Sequence, residues 1–131
     1  MICPCGTEIE YDRCCGLYHS GQEMATTAVV LMRSRYTAFV QLNMDYLRDT
    51  NDPQTLSSFN MDYNHKWAES VNFEKLEILR EETDNNKAVV EFKAFFKVKA
   101  TGESQVHHEV SKFRKQKGCW FFREGKAHVC K

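Results

Sequence analysis

Apolar residues change their spacing along this 131-residue chain, and the change separates a helical part from a strand-rich part. From Ala25 to Val40 they recur every three or four positions, which predicts a helix with one buried face. The preceding segment Ser20-Gly-Gln-Glu23 has the sequence of a capping box, so we expect the helix to begin there. Asn43 is predicted to cap a shorter helix, and residues 55–70 to form short helical pieces.

From Phe73 onward, apolar residues occupy alternate positions, which is typical of strands that bury one face. The clearest alternation runs from Val90 to Val98. Turn-forming segments separate the predicted elements: Thr50-Asn-Asp-Pro53, Asp84-Asn-Asn86, Thr101-Gly102 and Lys117-Gly118. Helices followed by about four antiparallel strands predict an α+β fold, in which the helices pack on the sheet, rather than a repeating βα order.

Four of the six cysteines lie in the first fifteen residues, MICPCGTEIEYDRCC, as two tight pairs. Thiolates bind zinc in a tetrahedron, and four on a short loop can do so if the chain reverses between the pairs. Adjacent cysteines form only a strained disulfide ring, which disfavours a Cys14–Cys15 bridge. We therefore predict one structural zinc ion per chain, bound by Cys3, Cys5, Cys14 and Cys15. Arg13 or backbone amides are expected to offset the negative charge of the thiolates.

The sequence leaves alternatives to this ligand set open. His19 lies four residues after Cys15 and is an alternative fourth ligand. A redox dithiol and structural disulfides are the alternatives to a metal. Cys119 and Cys130 are interpreted as ordinary cysteines; in the other interpretation, Cys130 and His128 form a second, partial metal site.

Several segments of the chain resemble one known family. The pattern Cys-Pro-Cys-Gly followed by a Cys-Cys pair resembles the SEC-C zinc motif, which is found at the C-terminus of the preprotein translocase ATPase SecA. Together with CCGLYH (14–19), LMRSRYTAF (31–39) and HEVSKF (108–113), it makes the chain similar to the YchJ family. The resemblance implies a zinc knuckle followed by a cone-shaped α+β domain similar to nuclear transport factor two. It implies no established activity, because the family has none.

Composition narrows the class of protein. Eighteen Lys and Arg balance eighteen Asp and Glu, so a nucleic-acid partner is not expected. No stretch has the character of a signal peptide or a membrane helix, so we expect a cytoplasmic protein with no membrane partner. The length fits one domain and a small appendage. We divide the chain into a cysteine knuckle at residues 1–20 and a cone-shaped domain at residues 21–131; a homodimer remains open.

The resemblance also implies an apolar cavity at the wide end of the cone. On the strand around residue 109, His107, Glu109 and Ser111 share one face and His108 lies on the other. A histidine and a carboxylate on a concave face can form an acid–base pair, whereas the alternative is that they pair with neighbouring strands. The candidate pocket residues are Arg35, Tyr36, Trp67, His108, Glu109 and Ser111.

Two hypotheses from different classes follow. The first is a binding or adaptor protein without enzymatic activity, whose zinc knuckle recognises a partner protein. Its basis is the closed metal site, although the stretch between the cysteine pairs, Thr7 to Arg13, carries three acids and one base where partner-binding SEC-C loops are rich in lysine. The alternative is a small-molecule binder, or an isomerase-, dehydratase- or hydrolase-like enzyme, that uses the cavity. In a third interpretation, zinc only anchors the N-terminus.

Overall fold

The computed structural model describes residues 1–127, in which helices come first and strands afterwards. The helices are α1 (Cys15–His19), α2 (Ala28–Val40), α3 (Met44–Asp49) and α4 (Met61–Glu69), with 3-10 turns at Tyr11–Arg13 and Pro53–Ser58. The strands are β1 (Val71–Asp84), β2 (Lys87–Val98), β3 (Ser104–Gln116) and β4 (Cys119–Ala127). They form one antiparallel sheet in the order β1-β2-β3-β4, which confirms the α+β prediction.

The core lies between helix α2 and the inner face of the sheet. Strand β2 alternates as predicted, since Val90, Phe92, Ala94 and Phe96 are all buried on one face. Leu31 and its helical neighbours pack against them. Register shifts interrupt the pairing of β1 with β2 and of β3 with β4. Such irregularities increase the local twist, and they help to bend the sheet around the helix.

The predicted start of the long helix is wrong. Helix α2 begins after Thr27, whose side chain accepts a hydrogen bond from the backbone N–H of Val30 at 3.1 Å. Ser20 ends helix α1 instead, and its hydroxyl donates to the carbonyl oxygen of Leu17 at 3.2 Å. The capping-box pattern was misleading because the Ser20 hydroxyl is already used by the helix before it.

The other helix predictions are confirmed. Asn43 caps helix α3 by accepting a hydrogen bond from the backbone N–H of Tyr46 at 3.1 Å. The stretch 55–70 contains the end of a 3-10 turn and helix α4. Within residues 1–127, none of the helices combines the length and hydrophobicity that crossing a membrane requires. His128 and Cys130 lie outside the described residues.

Candidate metal centre and adjoining cavity

The cysteine knuckle is a reversed loop. The backbone N–H of Cys3 donates to the carbonyl oxygen of Ile9 at 2.8 Å, and that of Tyr11 donates to the carbonyl oxygen of Met1 at 2.9 Å. The chain therefore returns beside its own start, and the following helix brings the second cysteine pair toward the first. The Sγ atoms of Cys3, Cys5, Cys14 and Cys15 all lie within 4.8 Å of one another.

This arrangement of sulfur atoms fits a tetrahedral metal ion. At a zinc–sulfur distance of about 2.3 Å, the sulfur atoms of a tetrahedron are about 3.8 Å apart. The Sγ atoms of Cys5 and Cys14 are 3.5 Å apart, and Cys3, Cys5 and Cys15 are buried. A hydrogen bond from Cys15 lowers the pKa of the Cys5 thiol, whereas the same bond raises the pKa of Cys15 and burial raises the pKa of Cys14, so the cluster favours a single thiolate at Cys5. The four cysteines are thus able to hold a metal ion.

His19 is not placed to be the alternative fourth ligand. Its Nδ1 is 2.7 Å from the hydroxyl of Tyr11, and its Nε2 donates to the carbonyl oxygen of Ser34 at 2.8 Å. Burial lowers the pKa of His19, which favours the neutral ring. Both ring nitrogens are used, so His19 fastens the cysteine knuckle to helix α2, and the group of side chains that could hold a metal ion consists of the four cysteines.

Helix α2 supplies contacts to the cysteines that the sequence analysis missed. The hydroxyl of Thr37 donates to the Sγ of Cys15 at 3.3 Å and lies 3.6 Å from the Sγ of Cys3. Arg33 donates from Nη1 to the carbonyl oxygen of Cys5 at 2.6 Å, which fastens the cysteine loop to helix α2. The charge compensation expected from Arg13 or backbone amides stays a prediction. Arg33 and Thr37 are four residues apart, which places them on one side of a helix. That spacing was visible in the sequence, although nothing indicated which side faced the cysteines.

A cavity of about 760 Å³ opens between helix α2, helix α4 and the inner face of the sheet. Its walls combine aromatic and polar side chains, and the charged ones are Arg35 from helix α2, Glu109 from strand β3, and Arg123 and Glu124 from strand β4. The lining includes Arg35, Tyr36, Phe39, Trp67, Phe92, Ala94, His107, Glu109, Phe122 and Gly125. Volumes of several hundred Å³ with a few convergent polar groups are typical of small-molecule sites.

Four of the candidate pocket residues line this cavity: Arg35, Tyr36, Trp67 and Glu109. Ser111 is fully buried beneath it and donates its hydroxyl proton to the carboxylate of Glu109. His108 has to be removed from the set. It lies on the opposite face of β3, where its Nε2 is 2.6 Å from the Oε2 of Glu91, because neighbouring residues of a strand point to opposite faces. The histidine that lines the cavity is His107.

The Glu109 carboxylate is held from both sides. His107 Nε2 is 2.8 Å from its Oε1, and Ser111 donates to its Oε2. Burial alone would raise the pKa of Glu109, but these two hydrogen bonds and the positive charge of Arg35 lower it below its usual value. Glu109 is therefore an ionised carboxylate at neutral pH.

The Arg35 guanidinium is buried in the wall of the cavity, with 5% of the residue exposed. Its Nη1 donates to the carbonyl oxygen of Leu47 at 2.8 Å and to the hydroxyl of Thr50 at 2.7 Å. The guanidinium carbon lies 4.4 Å from the centre of the Phe122 ring, a cation–π contact. Burial lowers the pKa of Arg35 to about 10, and the group remains charged at neutral pH.

A buried carboxylate, Asp52, supports the rim of the cavity through ion pairs with two partly exposed arginines, and the sequence analysis recognised this segment only as a turn. The fully buried Asp52 carboxylate accepts two hydrogen bonds from Arg114, both at 2.7 Å, and one from Arg123 at 3.2 Å. The hydrogen bonds from Arg114 are the main reason that the pKa of Asp52 falls to about 2. The backbone N–H of Asp52 also donates to Phe122, so the loop is fixed to strands β3 and β4.

Clustered cysteines ahead of helices packed on a four-stranded sheet define the class of protein: a SEC-C-type motif joined to a domain similar to nuclear transport factor two. Comparison with known proteins gives the family. The model of the YchJ middle NTF2-like domain matches residues 27–125. A UPF0225 protein of Geobacter sulfurreducens is 38% identical over 127 residues, which are 95% of this chain and 78% of the relative. The chain belongs to this YchJ-like family, UPF0225.

Solved structures agree with this assignment. The solution structure of a SEC-C motif containing protein from Rhodopseudomonas palustris matches with a TM-score of 0.90 and 39% identity, over 98% of this chain and 100% of that one. The crystal structure of a SEC-C motif containing protein from Psychrobacter arcticus matches with a TM-score of 0.83 and 30% identity, over 99% and 84% of the two chains. The similarity therefore includes the cysteine knuckle as well as the cone-shaped domain.

Proposed function

We propose that this protein binds a small organic molecule in the cavity of its cone-shaped domain and carries a structural zinc ion in its cysteine knuckle. The observation that carries the proposal is the cavity itself, in which two oppositely charged groups, Arg35 and Glu109, lie among aromatic walls. A domain that needed only a core would fill this space with side chains. No chemical reaction is assigned.

Zinc is the metal that best suits the cysteine knuckle. Four thiolates in a tetrahedron are a common structural zinc set, and they leave no position for a substrate. The ion would be held by Cys3, Cys5, Cys14 and Cys15, and it would stabilise the loop rather than act on a ligand. A reducing compartment such as the cytoplasm, where thiols stay reduced, is part of the proposal.

The cavity is tested by filling it. Ala94 lies on the inner face of β2 and lines the cavity, whereas Val89 lies on the outer face of the same strand. Small molecules retained by the wild type and by Val89→Phe, but lost from Ala94→Phe, would support the proposal when measured by mass spectrometry of protein purified from bacteria. Ala94→Leu is a milder variant in case Ala94→Phe does not fold, as judged by circular dichroism. Identical bound molecules in all four proteins, or none in the wild type, would contradict it.

One observation favours an adaptor role as a second candidate. Met1, Ile2 and Ile9 are 76%, 54% and 46% exposed, so the cysteine knuckle presents apolar side chains to solvent. The variant Ile2→Ser/Ile9→Ser removes this apolar surface without touching a cysteine. In affinity purification from bacteria, it should lose a protein partner that the wild type retains. Unchanged partners with the variant would refute recognition through this surface. The oligomeric state, including a homodimer, stays a prediction for sedimentation analysis.

A further inference from the structure

The Arg35 guanidinium has donors left over after its contacts with the protein. Only its Nη1 hydrogen-bonds within residues 1–127, to Leu47 and Thr50. Among the described residues, every side-chain nitrogen or oxygen that is sealed from solvent has a hydrogen-bond partner. The Nε and Nη2 atoms of Arg35 are therefore not sealed, and Arg35 lines the cavity. Arg35 is thus 95% buried, yet its Nε and Nη2 atoms are available as donors to a molecule in the cavity.

Glu109 balances the charge of Arg35 without contacting it. Each of these two groups acts electrostatically on the other, and no hydrogen bond or ion pair joins them in the described structure. The carboxylate lies over Gly125 of strand β4, where a Cβ atom would overlap its Oε2. The missing side chain at Gly125, together with the hydrogen bonds from His107 and Ser111, fixes the negative charge at one place. Arg123 and Glu124 also line the cavity, but each is in an ion pair, Arg123 with Asp52 and Glu124 with Lys112. Arg35 and Glu109 therefore contribute one further positive and one further negative charge to its wall.

We propose that the ligand is an uncharged molecule with an aromatic or other apolar body and a carbonyl-type oxygen, and that this oxygen accepts hydrogen bonds from Arg35. This inference rests on the proposed binding function of the cavity. An anionic ligand would add a second negative charge beside Glu109, and a cationic ligand would add a second positive charge beside Arg35, in a place where solvent screens little. A neutral acceptor satisfies the free donors and keeps the charges balanced.

The aromatic walls set the shape of the body. Trp67 packs edge-to-face against Phe39, Phe73 and Phe96, with ring centres 5.5 to 6.1 Å apart. These rings hold one another in place, so a planar ligand meets a wall that is already ordered. A volume of about 760 Å³ accommodates a two-ring compound without displacing them.

Three matched probes test the inference: 2-acetylnaphthalene, 2-ethylnaphthalene and 2-naphthoate. All three share the two-ring body. The acetyl compound carries a neutral acceptor, the ethyl compound carries no acceptor, and the naphthoate carries a charged carboxylate. Dissociation constants are measured at pH 7 by titration followed with NMR of the zinc-loaded protein. A hydrogen bond to a charged donor corresponds to roughly tenfold or more in affinity, so the ketone should bind about tenfold more tightly than the hydrocarbon and more tightly than the carboxylate.

The variant Glu109→Gln sharpens the test because it keeps the shape and removes the negative charge. It leaves Arg35 uncompensated, so the affinity for 2-naphthoate should rise about tenfold relative to that for 2-acetylnaphthalene. Arg35→Met should abolish the advantage of the ketone over the hydrocarbon. Arg35 also holds Leu47 and Thr50, so if Arg35→Met is unfolded by circular dichroism, Glu109→Gln still decides the outcome.

The outcomes separate this inference from the function on which it rests. Equal affinity of the wild type for ketone and hydrocarbon would overturn the role of Arg35 while leaving a binding cavity. The proposal that the ligand is uncharged would be overturned if the wild type bound 2-naphthoate most tightly of the three probes. It would also be overturned if Glu109→Gln did not change the affinity for 2-naphthoate relative to that for 2-acetylnaphthalene. Binding of none of the three probes would count against the binding cavity itself, and this inference would fall with it.

Discussion

The cysteine knuckle and the cavity are both candidate sites, but the chain builds them in opposite ways. The knuckle takes all its metal-binding side chains from Cys3 to Cys15, within one short loop. The cavity collects its lining from Met32 to Gly125, across helices α2 and α4 and all four strands. The four Sγ atoms of the first site converge on one point that is able to hold one ion, whereas the second site leaves the Nε and Nη2 donors of Arg35 without a protein partner within residues 1–127. A compact ligand set suits a structural role, and an open one suits an exchangeable partner.

Helix α2 belongs to both sites. Arg33 and Thr37 contact the cysteine knuckle, whereas Arg35 and Tyr36 line the cavity. Any change that shifts this helix therefore affects both sites. Variants that act on one site and leave the other intact test whether the two sites are independent.

The largest effect is expected when one of the four cysteines is removed. Cys5→Ser replaces a buried thiolate with a hydroxyl that binds zinc poorly, so zinc should fall from about one ion per chain to nearly none. The backbone amides of residues 1–20 should then exchange rapidly with deuterium, because metal binding and local folding are coupled. Metal analysis and hydrogen exchange provide the measurements.

Cys119→Ser is the matched control, because this cysteine is partly exposed and lies outside the cluster. It should retain its zinc. Loss of zinc from Cys119→Ser, or full zinc in Cys5→Ser, would contradict the assignment of the ligands. If the cone-shaped domain stays folded in Cys5→Ser, the two regions are separable; if both unfold together, they form one cooperative unit.

A smaller effect is expected at the rim of the cavity. Asp52→Asn keeps the size of the side chain and its cap on the 3-10 turn, but it leaves Arg114 and Arg123 without a buried counterion. Because Arg114 and Arg123 are 23% and 38% exposed, the loss should be smaller than for a fully buried pair. We expect the free energy of unfolding to fall by about 2 kcal/mol, which urea denaturation measures. Asp49 forms an exposed ion pair with Arg48 and provides the control. Asp49→Asn should change the free energy of unfolding little.

The contribution of Asp52 to the free energy of unfolding should also depend on pH. The native pKa of Asp52 is about 2, below the ordinary value of 3.8, so its stabilising effect is fully present above pH 3.8 and is lost as the pH falls toward 2. The stability difference between wild type and Asp52→Asn should therefore narrow over that range. A difference that does not depend on pH would mean that Asp52 acts through shape rather than charge.

The next effect tests the connection between the two regions. Thr37→Val keeps the branched shape but removes the hydroxyl that lies beside Cys3 and Cys15. Partners that hydrogen-bond to metal ligands contribute tenfold or more to metal affinity, so zinc affinity should fall about tenfold in competition with a chelator. Thr26→Val, at an exposed position, is the control. Unchanged zinc affinity in Thr37→Val would mean that helix α2 supports the loop only by packing.

The two regions also differ in how far the sequence predicts them. The spacing of Cys3, Cys5, Cys14 and Cys15 was sufficient to predict that their sulfur atoms cluster, because these residues are close neighbours in the chain. Only the coordinates show that both ring nitrogens of His19 have other partners. The role of Asp52 was not visible, because its partners Arg114 and Arg123 are more than 60 residues away. Long-range pairing depends on the register of the strands, which alternation alone does not determine.

Alternation did predict which side chains share a face of the sheet. It separated His108 from Glu109 correctly, and the inclusion of His108 among the pocket residues went against that argument. The start of helix α2 was misplaced for a different reason: Ser20 and Glu23 match a capping box, but the serine belongs to the helix before it. A local pattern does not show which of two adjacent helices uses a shared residue.

The smallest expected effect tests the two faces of strand β3 with neighbouring histidines. His107 hydrogen-bonds to Glu109 inside the cavity, and His108 to Glu91 on the outer face. The hydrogen bond from His108 is the largest cause that holds the pKa of Glu91 below its usual value. For Glu109, burial raises the pKa, and the bond from His107 leads the causes that lower it.

Exchanging each histidine for glutamine should therefore affect a different carboxylate. His107→Gln should raise the pKa of Glu109 and leave that of Glu91 unchanged, whereas His108→Gln should do the reverse, because the charge-assisted part of each bond is lost. Titration of the side-chain carboxyl carbons by NMR measures both groups in one experiment, and each variant is the control for the other. If either substitution moved both pKa values equally, the two faces would not be electrostatically separate, and the outer face would have to be considered part of the ligand site.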